Sequence, residues 1–286
     1  MTIDNPLTDA IESLKEDEGP KPRPKPNLEV LTPGNLGGLT IYHPEQLEWI
    51  NILFYGEAGV GKTRLAGSAS EVAECLPVLL IDVEAGSTSV AMYPGIDIVR
   101  VTTYEELVEI YNDLKTIEAK EGNLPYKTII LDSITEMQKL GMEAVLKRTV
   151  ERAHERGDDK DPDQPDFGDW AKNANQTRRM IRAFRNLECH TIFTALAQVD
   201  SSRPTKPKAK PYLNGKMADE VAAFLDIVLY MYKKADDTTE TVHRVLLSSG
   251  TDEIIAKDRS DKLPSLIIDP TYKDIHNFIK GNLEND

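Results

Sequence analysis

A glycine-rich run follows a short apolar segment early in the sequence. It matches the pattern G-x-x-x-x-G-K-[ST] and consists of Gly56, Glu57, Ala58, Gly59, Val60, Gly61, Lys62 and Thr63, with Arg64 directly after it. Glycines let the backbone wrap around a phosphate chain with its N–H groups pointing inward, and a following helix adds the positive end of its dipole. Lys62 would reach the β- and γ-phosphates, and the Thr63 hydroxyl would be a ligand of Mg²⁺. Residues 56–63, called the phosphate loop below, therefore predict a nucleotide site that Arg64 adjoins.

Two later apolar runs end in a carboxylate. The run TIILD ends at Asp132, and an acid at the carboxyl end of a strand can hold Mg²⁺ beside a phosphate loop. The run LLIDVE ends at Glu84, which could accept a proton from the water that attacks the γ-phosphate, with a helix or turn cap as the alternative. Asp82 should share the side of Glu84 if the strand continues, and it ranks below Glu84. These residue types predict ATP and Mg²⁺ as cofactors, with Thr63 and Asp132 as the metal ligands.

From Trp49 onward, short apolar runs alternate with longer amphipathic ones, as expected of strands and helices around a parallel sheet. Several runs are apolar without interruption, which is typical of strands buried on both faces. The predicted strands are 49–55, 77–83, 96–101, 127–132 and 190–197, and the predicted helices are 62–75, 104–120, 133–155 and 169–187. Antiparallel edge strands are predicted at 226–234, 243–249 and 252–257, and a closing helix near 270–282. The predicted fold class is α/β, with a mostly parallel central sheet flanked by helices.

Composition divides the chain into segments. Residues 1–40 are acidic and then rich in Pro and Gly, with too few large apolar residues to offset the entropy of ordering them. They predict a disordered arm, either a solvated leader or a docking segment for another protein. Residues 41–286 are predicted to form one domain. Within it, residues 157–169 are rich in Asp and Pro and residues 200–216 are basic, and both predict exposed loops.

Composition also excludes several classes of protein. The 286 residues carry 34 Lys and Arg against 48 Asp and Glu, a net charge of −14, which argues against a protein coated with positive charge but allows a local basic surface. No apolar run approaches the ~18 residues of a membrane helix, and the acidic N-terminus is unlike a secretory signal. No membrane partner and a cytoplasmic location are therefore predicted. Cys75 and Cys189 lack the spacing of a disulfide framework or a zinc site, and five scattered histidines indicate no metal beyond Mg²⁺.

The order of these motifs resembles that of the RecA-like ATPases: phosphate loop, strand ending in Asp-x-Glu, strand ending in Asp-Ser. The runs LIDVEAGSTSV, LDSITEM, FGDW, TIFTA and PYLNGKMADEVAAFLD are similar to RecA-like P-loop ATPases encoded by bacteriophages, including the Sak-type proteins associated with single-strand annealing and recombination. The resemblance covers residues 49–280. It implies a Mg²⁺-dependent ATP hydrolase of RecA-like fold in a host cytoplasm, with Lys62, Glu84 and Asp132 as catalytic residues.

A further part of the resemblance lies near the end of the chain. Residues 255–259 (IAKDR) resemble the Lys-x-Arg element of hexameric RecA-like helicases, in which two cations reach across a subunit boundary to the γ-phosphate of the neighbour. The resemblance implies catalytic roles for Lys257 and Arg259 and self-assembly into a ring or filament. A solvated strand end that carries two charges is the alternative.

The basic segment after the fifth predicted strand predicts a contact with single-stranded DNA. Lys and Arg spaced by Pro and Gly can follow a phosphate backbone, and Tyr212 could stack on a base. RecA-like proteins carry a DNA-binding loop at this place, and a mobile hairpin is the alternative. The predicted DNA-binding residues are Arg203, Lys206, Lys208, Lys210, Tyr212 and Lys216. On helix 169–187, Arg178, Arg182 and Arg185 share one basic face that supports this interpretation, and a face that is solvated or paired with acids is the alternative.

One departure from the resemblance concerns the coupling of ATP to DNA. RecA has an Asn-Gln pair after its fourth core strand, whereas Ala195 and Leu196 stand at the equivalent positions here and Gln198 follows two residues later. The sequence predicts an ATP-hydrolysing protein that acts on single-stranded DNA in phage recombination, annealing or replication, with a single-strand-binding or replication protein as a further partner. The alternatives are a nucleotide-switched adaptor, such as a helicase loader, and, less favoured, a small-molecule phosphotransferase.

Overall fold

A computed structural model of the protein describes Asn35–Leu36, Leu39–Thr40 and residues 49–199, 209–236 and 241–281. The strands, numbered along the chain, are β1 (Asn35–Leu36), β2 (Leu39–Thr40), β3 (Asn51–Gly56), β4 (Val78–Asp82), β5 (Ile96–Arg100), β6 (Thr128–Asp132), β7 (His190–Val199), β8 (Ala209–Pro211), β9 (Ile227–Ala235), β10 (Val242–Leu247), β11 (Lys257–Asp258) and β12 (Leu266–Ile268). The α-helices are α1 (Lys62–Gly67), α2 (Tyr104–Glu121), α3 (Ile134–Glu155), α4 (Phe167–Arg185), α5 (Met217–Phe224) and α6 (Tyr272–Lys280).

Ten of these strands form one sheet, in the order β12-β10-β9-β3-β7-β6-β4-β5, with β11 beside β9 and β8 beside β7. The strands from β9 to β5 are parallel, whereas β10, β12, β11 and β8 are antiparallel to their neighbours. The predicted α/β fold with a mostly parallel central sheet is confirmed. The strand predicted at 226–234 differs from expectation, because β9 pairs parallel with β3 and is antiparallel only towards β10 and β11. Helix α5 precedes β9 and returns the chain across the sheet, as a parallel pairing requires.

The sheet separates two apolar cores, and alternate residues of its strands face opposite sides. On β3, Leu53 and Tyr55 join the core that contains side chains of α2, α3, α4 and α5. Ile52 and Phe54 join the other core, which contains side chains of α1 and α6. Burial on both faces explains why these strands are apolar without interruption. Polar side chains therefore collect where the strands end.

Two predicted helices have different ends in the structure. The helix predicted at 62–75 stops at Gly67 and continues as 3₁₀ turns at Ser68–Glu71 and Ala73–Cys75. The Ser68 hydroxyl donates to the carbonyl of Leu65 at 2.7 Å and so competes with the backbone hydrogen bonds that would extend the helix. Helix α4 begins earlier than predicted, because Asp166 caps it by accepting from the backbone N–H of Asp169.

Several shorter features were not predicted or differ in extent. Strands β8 and β12 were not predicted, and of the strand predicted at 252–257 only Lys257 is retained, in β11. Residues 251–254 instead form a turn closed by a bridge between Thr251 and Ile254. Within the predicted arm, β1 and β2 pair antiparallel, and the rest of residues 1–40 lies outside the described residues. Among the helices that the structure describes, none has the length and apolar character to cross a membrane.

Candidate active site

The phosphate loop connects β3 to α1 at the carboxyl edge of the parallel strands. Its first residue, Gly56, pairs with Leu196 of β7 and Met231 of β9. A Cβ atom at position 56 would lie 2.2 Å from the Met231 carbonyl oxygen, so only glycine allows β9 to approach this closely. Gly61 has a φ of 110°, in the left-handed region that favours glycine, directly before α1. These two positions explain the glycines at both ends of the loop.

The other members of the loop differ in exposure. Glu57, Ala58 and Gly59 are exposed at its tip, and Val60 is buried beneath it. Arg64, predicted to adjoin the nucleotide, is exposed on α1. The tip is therefore open to a ligand while Val60 fixes the loop to the core.

Lys62 is buried inside the phosphate loop. Its Nζ donates hydrogen bonds to the carbonyl oxygens of Gly56 at 3.1 Å and Glu57 at 2.9 Å. Burial lowers the pKa of Lys62, and the nearby carboxylates of Glu84 and Asp132 oppose that change. The loop, the lysine and both predicted carboxylates thus come together in one site.

Asp132 ends β6 and is held by two hydroxyl groups. Thr63 Oγ1 donates to one carboxylate oxygen at 2.8 Å, and the Thr194 hydroxyl donates to the other. Burial raises the pKa of Asp132, and the hydrogen bonds from Thr194 and Thr63 oppose the rise. Because β7 lies between β3 and β6, Thr194 reaches Asp132 from the intervening strand. Hydroxyl and carboxylate oxygens are the hard ligands that Mg²⁺ prefers, so the donor set of Thr63 and Asp132 fits this ion.

Glu84 lies at the end of the neighbouring strand β4. The backbone N–H groups of Val83 and Glu84 donate to the Asp132 carbonyl oxygen at 2.7 and 3.3 Å. The Ser133 hydroxyl donates to Glu84 Oε1, and the Asp132–Ser133 peptide bond is cis. These hydrogen bonds hold the exposed Glu84 side chain beside Asp132.

Comparison with known proteins agrees with this geometry. Residues 49–260 match the family model of the AAA domain, which covers more than half of the chain. The chain belongs to the AAA domain family. Among solved structures, the chain is similar to a prototypical ATPase from the type III secretion system of pathogenic bacteria, with a TM-score of 0.43 and 15% identity over 64% of this chain and 52% of that one. It thus spans about half the length of that ATPase, and no curated protein matches its sequence.

The chain is therefore a nucleotide-binding P-loop ATPase. Its phosphate loop, its mostly parallel sheet and its family membership agree on this coarse level. The finer roles that the sequence predicts for individual residues stay predictions. The structure nevertheless shows where each of these residues that it describes lies and what it contacts.

Asp82 has a structural role in this AAA domain. Its carboxylate is 1% exposed and accepts hydrogen bonds from the backbone N–H groups of Gly86 at 3.0 Å and Ser87 at 3.1 Å. Strand β4 ends at Asp82, and Ala85 adopts a φ of 59°. The expectation that Asp82 and Glu84 share one side therefore does not apply, because the strand does not continue. Asp82 is the acid that caps the turn.

Lys257 and Arg259, predicted to reach a neighbouring subunit, contact the C-terminal end of α5 in their own chain. The Lys257 ammonium donates to the Ala222 carbonyl oxygen. Arg259 donates to the Ala223 carbonyl oxygen at 2.6 Å and pairs with Asp226 at 3.1 Å. The last carbonyls of a helix lack intrahelical partners, and cations there are favourable. Their role across a subunit boundary stays a prediction.

The predicted DNA-binding residues are only partly described. Arg203, Lys206 and Lys208 lie outside the described residues. Lys210 is half-buried on β8, Tyr212 is exposed just after this strand, and Lys216 is exposed before α5. Lys210 is paired in register with Gln198 of β7, and Gln198 is exposed.

The arginines on the basic face of α4 contact α5, although Arg182 remains exposed. Arg178 forms an ion pair with Glu220 at 2.5 Å. The Arg182 guanidinium lies 5.0 Å from the centre of the Phe224 ring, and Arg185 donates to the Phe224 carbonyl oxygen at 3.0 Å. The interpretation of this face as support for DNA binding stays a prediction, and these contacts favour the alternative of a face paired with neighbouring groups. The regular spacing of the arginines reflects contacts between two helices.

Sequence reasoning missed two residues that contact the site. Thr194 bonds Asp132, and Arg244 of β10 donates from Nε to the Val60 carbonyl oxygen of the phosphate loop at 3.2 Å. Asp269 accepts from the Arg244 backbone N–H at 2.8 Å and helps to fix this position. The sequence signal for Arg244 was only its place on a predicted edge strand. Its approach to the loop depends on the register between β9 and β10.

Proposed function

We propose that the chain hydrolyses ATP with Mg²⁺ at the phosphate loop. The observation that carries this proposal is the hydrogen bond between Thr63 and Asp132, which joins the start of α1 to the end of β6 beside Lys62 and Glu84. Lys62 and the loop amides bind the phosphates. Thr63 and Asp132 hold Mg²⁺, which when bound neutralises charge on the phosphate oxygens. Each role follows from the type of group: N–H groups bind phosphate oxygens, whereas hydroxyl and carboxylate oxygens bind Mg²⁺.

Glu84 has the role of orienting or deprotonating the attacking water. A carboxylate accepts a proton only from a water within hydrogen-bond reach. The position of Glu84 relative to the attacking water therefore decides whether it can act as the base. The Ser133 hydroxyl and the two N–H groups that bond the Asp132 carbonyl hold Glu84 and Asp132 in one arrangement. Water positioning and metal binding are thereby linked through adjacent residues.

We infer that single-stranded DNA binds at residues 209–216 and at the basic segment before them, in recombination, annealing or replication. The resemblance to phage-encoded RecA-like ATPases suggests this setting. Support comes from hydrogen bonds between this segment and the start of α3, one turn after Asp132. Thr135 Oγ1 donates to the Tyr212 carbonyl oxygen at 3.2 Å and accepts from the Leu196 backbone N–H at 3.0 Å. Gln138 accepts from the Asn214 backbone N–H at 2.7 Å.

Self-assembly into a ring or filament is the remaining part of this proposal. Lys257 and Arg259 would have to leave the carbonyl oxygens of α5 to reach the γ-phosphate of a neighbour. Their contacts with neutral helix-end carbonyls can be exchanged for a phosphate, since a charge-assisted bond to an anion is the stronger one, and Arg259 would in addition have to leave its ion pair with Asp226. A cytoplasmic location and a single-strand-binding or replication protein as partner belong to the same proposal.

The test is ATP hydrolysis by the purified protein with Mg²⁺, with and without single-stranded DNA, and with Lys62→Ala as the blank. We expect strong stimulation by DNA. Tyr212→Ala should weaken DNA binding by about 5- to 150-fold, the range for loss of one base stack of ~1–3 kcal/mol. Lys216→Ala should weaken it less and in a salt-dependent way. Lys273→Ala, an exposed lysine on α6, is the charge-matched control.

A nucleotide-switched adaptor is the second candidate. The observation that favours it is that Lys257, Arg259 and the α4 arginines are all engaged within the chain. In addition, Ala195 is fully buried where RecA has a polar coupling residue. Slow turnover that is indifferent to DNA, with the Lys62→Ala blank still lower, would support the adaptor. A mass measurement with and without ATP would then separate a monomeric switch from a ring or filament.

A further inference from the structure

Three side chains with metal-binding chemistry meet far from the phosphate loop. Cys75 ends the 3₁₀ turn before β4, His190 is the first residue of β7, and His276 lies on α6. One potential ligand atom of each lies within 4.8 Å of those of the other two, and all three residues are buried. They are more than 80 residues apart in the chain, so local spacing could not reveal the cluster. The histidines are scattered along the sequence, but two of them, His190 and His276, lie together with Cys75 in the fold.

The surroundings of the cluster leave His276 Nε2 without a partner. This atom is one of six buried side-chain polar atoms that make no hydrogen bond in the described part of the chain. The Tyr272 hydroxyl is another of the six, but it lies against the Cys75 thiol, which can serve as a weak sulfur partner. Buried polar groups without a partner are uncommon, and an ion is one of the few explanations for them. The unpartnered His276 Nε2 at a Cys/His cluster therefore points to a ligand.

We propose that Cys75, His190 and His276 bind a transition-metal ion, Zn²⁺ in the first instance, that ties α6 to the sheet. Thiolate and imidazole donors suit Zn²⁺ and exclude Mg²⁺, which prefers oxygen. Tetrahedral Zn–S bonds of ~2.3 Å and Zn–N bonds of ~2.0–2.1 Å place ligand atoms about 3.3–3.6 Å apart. The cluster therefore has to close by about an ångström. Tyr272 is the neighbouring candidate for a fourth ligand.

The hydrogen bonds around the cluster determine which ring nitrogens can bind a metal. His276 Nε2 has no partner. His190 Nδ1 accepts from the Ile50 backbone N–H at 3.2 Å, so Nε2 is the nitrogen left for a metal. A metal on Nε2 would move the ring proton to Nδ1, and the Ile50 N–H would lose this acceptor, so the metal–ligand bond has to offset that loss. The thiolate of Cys75 is the ligand rather than the thiol, so binding releases a proton.

The position of the cluster indicates a structural metal. His190 begins β7, and Leu196 of the same strand is in register with Gly56 of the phosphate loop. Six residues of strand, or about 20 Å, separate His190 from Leu196 along β7. The cluster thus lies at the amino edge of the parallel strands, and the nucleotide site lies at the carboxyl edge. The proposal is therefore independent of the proposed ATP hydrolysis.

The test uses the untagged full chain and two readouts. Protein expressed with added zinc and then dialysed should retain one Zn²⁺ per chain by mass spectrometry of the elements. Cys75→Ser and His276→Gln should lose it. Cys189→Ser, the other buried cysteine, and His154→Gln on α3 are matched controls that should keep it. Retention of zinc by Cys75→Ser, or absence of zinc from the parent protein, would overturn the proposal.

Cobalt gives a readout that does not depend on the folding of a variant. Co²⁺ added to the metal-free parent protein should give intense visible bands of a tetrahedral site and a near-ultraviolet thiolate-to-cobalt band. Magnesium at a hundredfold excess should not reduce these bands, because Thr63 and Asp132 are a separate oxygen site. If the parent protein binds Co²⁺ without a thiolate band, Cys75 is not a ligand and the proposal fails.

Discussion

Thr194 provides a sharp test of how Asp132 is held. Its hydroxyl donates to one oxygen of a carboxylate that is 1% exposed, and Thr194 itself is fully buried on β7. Thr194→Val preserves the shape of the side chain and removes this donor. A hydrogen bond to a charged group contributes roughly 1.5–3 kcal/mol to stability, compared with about 0.5–1.5 kcal/mol for a neutral pair. We therefore expect Thr194→Val to lower the free energy of unfolding by about 2 kcal/mol at pH 7.5.

Thr191→Val is the matched control for this substitution. Thr191 is also a fully buried threonine on β7, but its hydroxyl donates to the neutral Phe184 carbonyl oxygen at 3.3 Å. Its loss should cost about 1 kcal/mol. Thermal unfolding without Mg²⁺ should show a fall of roughly 4–8 °C for Thr194→Val and roughly 2–4 °C for the control, at ~2–4 °C per kcal/mol in a domain of this size.

The pH dependence gives the decisive comparison. The native pKa of Asp132 is raised, so the stability that protonation of this carboxyl provides is present at low pH and is lost as the pH rises. Removing the Thr194 hydroxyl, which favours the charged form, raises that pKa further. The destabilisation by Thr194→Val should therefore grow as the pH rises above the range in which carboxyl groups ordinarily titrate, and the acid limb of ATP turnover should move to higher pH. Equal stability losses for both variants, with superimposable pH profiles, would refute this account of Asp132.

Three further predictions concern the same site. Glu84→Gln should keep ATP binding and lose about 10²- to 10⁴-fold in turnover, the usual contribution of a general base, and undiminished turnover would remove Glu84 from this role. Arg244→Ala should raise the Kd for ATP about tenfold in a calorimetric titration, if a charge-assisted bond of ~1.5 kcal/mol to Val60 stabilises the binding form of the loop; an unchanged Kd would contradict this. Thr135→Val should leave basal turnover intact and reduce its stimulation by DNA, whereas stimulation equal to the parent would argue against coupling through Thr135.

Sequence reasoning succeeded where the chemistry is local. The phosphate loop is a contiguous run between a strand and a helix, so its residues and their order were sufficient to predict a nucleotide site. Uninterrupted apolar runs likewise predicted the central strands. The long helices α2 and α3 have termini within one residue of the prediction, and Thr103 and Ser133 cap their N-terminal ends.

The contacts that sequence reasoning missed at the site depend on how separate elements pack together. Thr194 meets Asp132 only because β7 lies between the strands of the loop and of the acid. Arg244 meets the phosphate loop only through the antiparallel register of β10 on β9. The arginines of α4 form a regular basic stripe, and nothing in the stripe shows that α5 covers it. Residue type and spacing therefore predicted which chemistry is present, but not which side chains are already engaged.

Strand β7 contributes residues to the Cys/His cluster, to the nucleotide site and to the pairing with the segment proposed to bind DNA. Its first residue, His190, belongs to the Cys/His cluster, and its middle residue Thr194 bonds the carboxylate placed for Mg²⁺. Further along, the Leu196 N–H bonds Thr135, and Gln198 pairs with Lys210 in the segment proposed to bind DNA. Strand β7 pairs with β3 from Thr191 to Leu196, whereas its pairing with β6 ends at Phe193. Under the proposed DNA binding, Thr194 and the Leu196 backbone are the contacts through which this strand would connect the nucleotide site to the DNA segment, in place of the Asn-Gln pair of RecA.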